Sequence, residues 1–284
     1  MAYTHARTPV ANGVVSLYLR PWSRSAAVVL FVLLWSAIDD SGQELTFRNP
    51  RDLLAREPAA FMDLLEAARP APLSMEAMGA ILRALPREGE VTQLGAPSQQ
   101  KVDAVRQLLK STQREWYEIK MIDLPQAALA LHARALLLIS APAVALLNAT
   151  ELQAMAAHEI GHEYVWIEWN RARQRGDRER LKELELICDA IAAVILRQLG
   201  MDPSKLIEGV EKVTQFNRER FGSATHENSY PTLGERRAFA REIDRWLRGS
   251  YHLTAYGRVA TGTLPKRGCR PRRIGRIGVT IPPP

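Results

Sequence analysis

The sequence predicts an α+β fold that is mostly α, with a small sheet and a pair of long helices at its centre. Three observations predict it. Apolar residues recur at helical spacing over most of the chain beyond residue 50. The period changes only around 116–122 (WYEIKMI) and 135–139 (ALLLI), short runs of strand length separated by turn-forming residues at 123–125. Finally, two long helical segments are joined only by Gly176-Asp177, a link so short that they must pack antiparallel.

The elements follow in order. Leu53, Leu54, Phe61, Leu64 and Leu65 mark a helical stretch over 50–68 that Pro58 interrupts. Ser74 is placed to cap a helix over 74–85, and another is expected over 98–110. The two strands come next, and helix-forming sequence resumes at Pro142. Thr150 is expected to cap a helix with Glu151 in its first turn, continuing to about Arg173. The second helix of the pair spans 178–199 and stops at Gly200. Two more are expected over 203–215 and 232–247, with a polar loop between them. The organisation is then a leader over 1–38, a helical region over 39–112, a central domain over 113–249 and a Pro/Gly/Arg-rich tail over 250–284.

The formal charge of +7 is misleading until it is located. Arg7, Arg20 and Arg24 lie before residue 39, and seven further bases lie beyond residue 250, with no acid in either stretch. Setting these ten aside leaves a slightly acidic body, which argues against nucleic acid as a partner. The apolar run 26–38, preceded by Arg20 and Arg24 and followed by Asp39-Asp40, has the length and flanks of an export signal. It implies an exported, periplasmic or envelope location, with membrane association through this segment if it is retained. Two cysteines, Cys188 and Cys269, are too few for a disulfide framework.

Residues 158–162 read His-Glu-Ile-Gly-His. On a helix, positions i and i+4 share a face, so His158 and His162 can bind one Zn²⁺ through their ring nitrogens. Glu159 is then beside the metal, off the ligand stripe, where it can take a proton from a water and return it to a leaving amine. Such a site needs a third protein ligand. Glu185 is the candidate, with Glu183 as a fallback. Asp189, four residues on, lies on the same face and can accept a ligating histidine's free ring N–H. With a turn at 175–176, residue 189 is expected level with 162, and 185 level with 166. Cys188 points off that face and is read as core; Trp166 and Trp169 are read as packing residues.

The strings AAHEIGHEY, ELICDAIA, GMDPSKLIEGVEKV and YPTLGERR resemble the M48 metallopeptidases, zincins of the gluzincin type, over roughly residues 115–245. The resemblance implies a zincin-like domain, one zinc per chain held by His158, His162 and Glu185, and hydrolysis of peptide or unfolded protein substrates. It also implies a substrate-binding edge strand somewhere within 125–140, and a brace on the site from Arg236 or Arg237. Two departures stand out. Only 22 residues separate His162 from Glu185, so an insertion common in that family is missing. Tyr230 precedes Pro231 where the family pattern has His; Tyr230 or His226 can supply the donor expected there. The expected activity is therefore a zinc endopeptidase, and the alternative is a metal-containing, non-proteolytic binding or chaperone-like module of the envelope.

Overall fold

A computed structural model describes residues 45–85, 91, 93–222 and 229–259, the last ten as backbone only. The export-signal segment, His226, Cys269 and most of the basic tail lie outside the described residues.

The architecture is mostly helical with one three-stranded sheet. Four helices come first: α1 (Pro50–Leu54), α2 (Pro58–Ala67), α3 (Met75–Ala84) and α4 (Ala96–Ser111). Prolines open α1, α2 and α4, where a missing N–H costs no helical bond. Ser74 Oγ accepts the Ala77 N–H and caps α3 as expected. The strands are β1 (Glu118–Ile122), β2 (Leu129–His132) and β3 (Leu136–Ser140), in the order β1-β3-β2. β1 runs parallel to β3, and β2 antiparallel to it. β2 was not expected from periodicity alone. With the exposure pattern of a sheet edge, it carries no continuous apolar run like that of β3.

After α5 (Ala141–Leu146) comes α6 (Ala149–Tyr164), buried along almost its whole length and packed between α4, α8 (Arg178–Gln198) and α9 (Ser204–Phe221). A helix in that position needs small residues all round, and Ala154, Ala156, Ala157 and Gly161 supply them. Its cap is Asn148, not Thr150. Asn148 Oδ1 accepts the Glu151 N–H at 2.9 Å, and Glu151 Oε2 accepts the Asn148 N–H at 3.0 Å, a reciprocal pair that satisfies two orphan donors. Thr150 instead donates its hydroxyl to Asn148 Oδ1.

The helix expected to continue to Arg173 is interrupted at Val165, at φ −114° and ψ 17°, and α7 (Trp166–Arg175) follows it. Gly176, at φ 67°, ends α7 in the left-handed conformation that glycine adopts freely, and Asp177 caps α8 through the Arg180 N–H. Because of the break, residues cannot be counted straight across the pair. Gly161 faces Cys188, Asp189 reaches His158, and Glu185 sits between His158 and His162, about one turn away from the expected register.

The final helix, α10 (Leu233–Val259), runs past residue 247, where it was expected to end. Its first half covers α8 and α9. Trp246 packs edge-on against Phe61 of α2 at 5.9 Å, so the N-terminal helices and the central helices share one continuous apolar core. Among the described residues no helix is long and apolar enough to cross a membrane.

Candidate functional site

The face of α6 that meets α8 carries the ionisable groups. His158 and His162 stand one turn apart with ring centroids 4.9 Å from each other and planes at 83°. Glu185 of α8 lies against both: its Oε2 is 3.3 Å from Nε2 of His158, and its Oε1 is 3.5 Å from Nε2 of His162. Zinc bonds of ~2.05 Å at tetrahedral angles place neighbouring ligand atoms about 3.3–3.4 Å apart. The two separations are close to that length, each made through a different oxygen of Glu185. Glu159 also approaches: one ligand atom from each of His158, Glu159 and His162 lies within 4.8 Å of the others.

A layer of partners orients this set. Asp189 Oδ1 is 2.8 Å from Nδ1 of His158, an ion-pair distance at which the ring N–H is not aligned for a full hydrogen bond. Arg236 of α10 forks over both acids, with Nη1 2.5 Å from Asp189 Oδ1 and Nη2 2.8 Å from Glu185 Oε2. Arg237 turns the other way and pairs with Glu211 at 2.6 Å. The Glu183 carboxylate is taken by Arg180 at 2.5 Å. Trp169 sets its ring edge-to-face against His162 at 5.8 Å, and Trp166 is buried. Cys188 is fully buried where α8 packs against Gly161 of α6.

Burial and charge shift these groups in different directions. Burial alone would lower His158, but contacts from Asp189 and Glu185 reverse this and raise its pKa to about 10. His162 is pushed down to about 4, chiefly by burial, which leaves its ring neutral with a lone pair for a cation. Burial pushes Glu159 up to about 7, with the Glu185 charge adding to it and the His158 charge opposing. Glu185 is itself buried, which raises it, yet the histidines and Arg236 hold it well below the usual carboxylate range. One acid thus stays ionised while its neighbour is poised near neutrality.

Glu159 Oε2 accepts the Leu131 N–H of β2 at 2.8 Å, which ties the edge of the sheet to the site. Tyr230 leaves 45% of its surface exposed, but its hydroxyl is raised first by the negative charge of Glu185, then by burial and Glu159. Its side chain therefore stands in the field of the two glutamates.

Two features had no signal in the sequence. Arg114, in the turn that follows α4, donates Nε to Glu163 Oε2 at 2.6 Å and Nη2 to the Tyr164 hydroxyl at 2.9 Å, all beneath the surface. Asn217 of α9 brackets the backbone of Ala127 with two 2.9 Å hydrogen bonds. Both join positions far apart in the chain, which residue spacing cannot foretell.

Comparison with family models, with curated proteins and with solved structures returned no match.

Proposed function

We propose that this chain is a zinc-dependent endopeptidase, resembling the M48 metallopeptidases, that acts on peptide or unfolded protein substrates outside the cytoplasm. The observation that carries the reading is the position of Glu185, 3.3 and 3.5 Å from two imidazole nitrogens that sit i, i+4 on one helix. His158, His162 and Glu185 would hold a Zn²⁺, which would supply Lewis acidity there, and Arg236 with Asp189 holds those side chains in place. Glu159, poised near neutrality, takes a proton from the attacking water and delivers it to the leaving nitrogen. The outer edge of β2 supplies backbone groups against which an extended peptide can pair. Tyr230 is the donor for the developing oxyanion; His226, outside the described residues, competes for that role.

A second reading rests on Glu159 itself. Its carboxylate lies close enough to both histidines to complete a closed four-ligand site, as in a structural metal centre of a non-proteolytic envelope module. Glu159→Gln separates the two. In the peptidase it keeps one zinc per chain and abolishes casein turnover; in the closed site it weakens zinc binding, and the wild type has no turnover to lose. Zinc in neither protein would overturn both readings.

A further inference from the structure

The outer edge of β2 can be read group by group. Ser140 N–H donates to Ala128 O at 3.0 Å, and Ala128 N–H donates to Ser140 Oγ, so residue 128 faces β3. Alternation along an antiparallel strand then turns residues 130 and 132 towards β3 and residues 127, 129 and 131 away from it. The three outward positions differ. At Leu131 the N–H is held by Glu159 Oε2. At Leu129, among the described residues, neither the N–H nor the C=O has a hydrogen-bond partner, and the C=O of Leu131 has none either. At Ala127 both groups are taken by one side chain: Asn217 Oδ1 accepts the N–H, and Asn217 Nδ2 donates to the C=O, each at 2.9 Å. A side-chain amide has the same donor and acceptor as a peptide unit. Asn217 therefore presents to Ala127 what one residue of an added strand would present.

We infer that Asn217 is a specificity-determining residue that closes the peptide-binding edge of β2 at Ala127, so that a substrate strand pairs with Leu129 and Leu131 and no further. The inference rests on the peptidase reading. Outward positions on a strand come every second residue. The substrate residue facing Leu129 is thus two removed from the one facing Leu131 and Glu159, and the next pairing position, two further on, is filled by Asn217. Substrate beyond that point leaves the strand and contributes no backbone pairing. The limit falls on one side of the scissile bond only, because Asn217 stands at one end of β2.

The test uses a ladder of peptides around one cleavable bond, lengthened one residue at a time at either end, with zinc-loaded wild type, Asn217→Ala and Asn217→Ser. For wild type, kcat/KM should rise with length and then level off at each end. In both variants the levelling point should move out by two residues at one end alone, through KM, with the longer peptides gaining roughly three- to tenfold, as one or two added backbone hydrogen bonds would give. Amide exchange at Ala127 should speed up in the variants while the melting curve stays cooperative. Turnover that levels off at the same length in all three proteins overturns the role of Asn217 and leaves the peptidase reading standing. Absence of turnover by wild type on every peptide overturns that reading, and this inference with it.

Discussion

A Cβ on Gly161 would stand 2.8 Å from the Cα and 2.9 Å from the Cβ of Cys188, so α6 and α8 meet backbone to backbone at this point. That approach lies one residue before His162 and one before Asp189, and it sets how near Glu185 comes to the two rings.

Gly161→Ala should therefore push α8 away, because the obstruction is main chain and cannot rotate aside. Overpacking of this kind costs about 1–3 kcal/mol. Zinc affinity should fall at least roughly tenfold, as Glu185 is carried off the tetrahedral edge distance. Urea denaturation and a competitive chelator titration measure the two effects. A variant with wild-type zinc affinity would show that the helix spacing does not set the site.

Arg236 is the buried cation that faces two buried carboxylates. Arg236→Met leaves Glu185 and Asp189 without it and should destabilise the metal-free protein by about 3–5 kcal/mol. Added zinc should recover part of the loss, since the metal brings its own positive charge to Glu185. Arg236→Lys keeps the charge but cannot fork over both acids and should fall between the two. Melting in chelator and in excess zinc separates these cases.

Zinc binding should be linked to protons. His158, raised to about 10, holds a proton across the neutral range that a cation must displace. His162, lowered to about 4, and Glu185, held low, release none above pH 5. Affinity should thus rise roughly tenfold per pH unit between 7.5 and 9.5 and flatten above about 10. Below about 7, where Glu159 is also protonated, the slope should steepen, and Glu159→Gln should remove that extra slope. Calorimetry in buffers of different ionisation enthalpy counts the protons directly. A pH-independent affinity would contradict this arrangement of charges.

Arg114 and Glu163 form a fully buried pair, with side chains 2% and 1% exposed. Glu163→Gln leaves the guanidinium uncompensated beneath the surface and should cost about 3–5 kcal/mol. Replacing both, as Arg114→Met with Glu163→Leu, should cost less than either single change, because no charge is then stranded. Urea denaturation of Glu163→Gln, the two single replacements and the double replacement checks the order. Additive losses would mean that the two residues act independently.

Much of this was already written in the chain. Capping residues, prolines and apolar period mark most helices to within a few residues, since they act through local backbone chemistry. The spacing of His158, Glu159 and His162 needs only helix geometry to converge. Glu185 and Asp189 were legible for the same reason, as an i, i+4 pair on a helix that must return beside the first. The exact register was not. The helix is interrupted at Val165, and the meeting of Gly161 with Cys188 places α8 about one turn from where straight counting puts it. Also beyond the sequence were the choice of Arg236 over Arg237 and the long-range bonds from Arg114 to Glu163 and from Asn217 to Ala127, whereas an edge strand within 125–140 was expected only from the family resemblance. Local order follows from the residues within one turn or one strand pair. These contacts join segments tens of residues apart, and their partners are decided by how the helices pack, which no local pattern encodes.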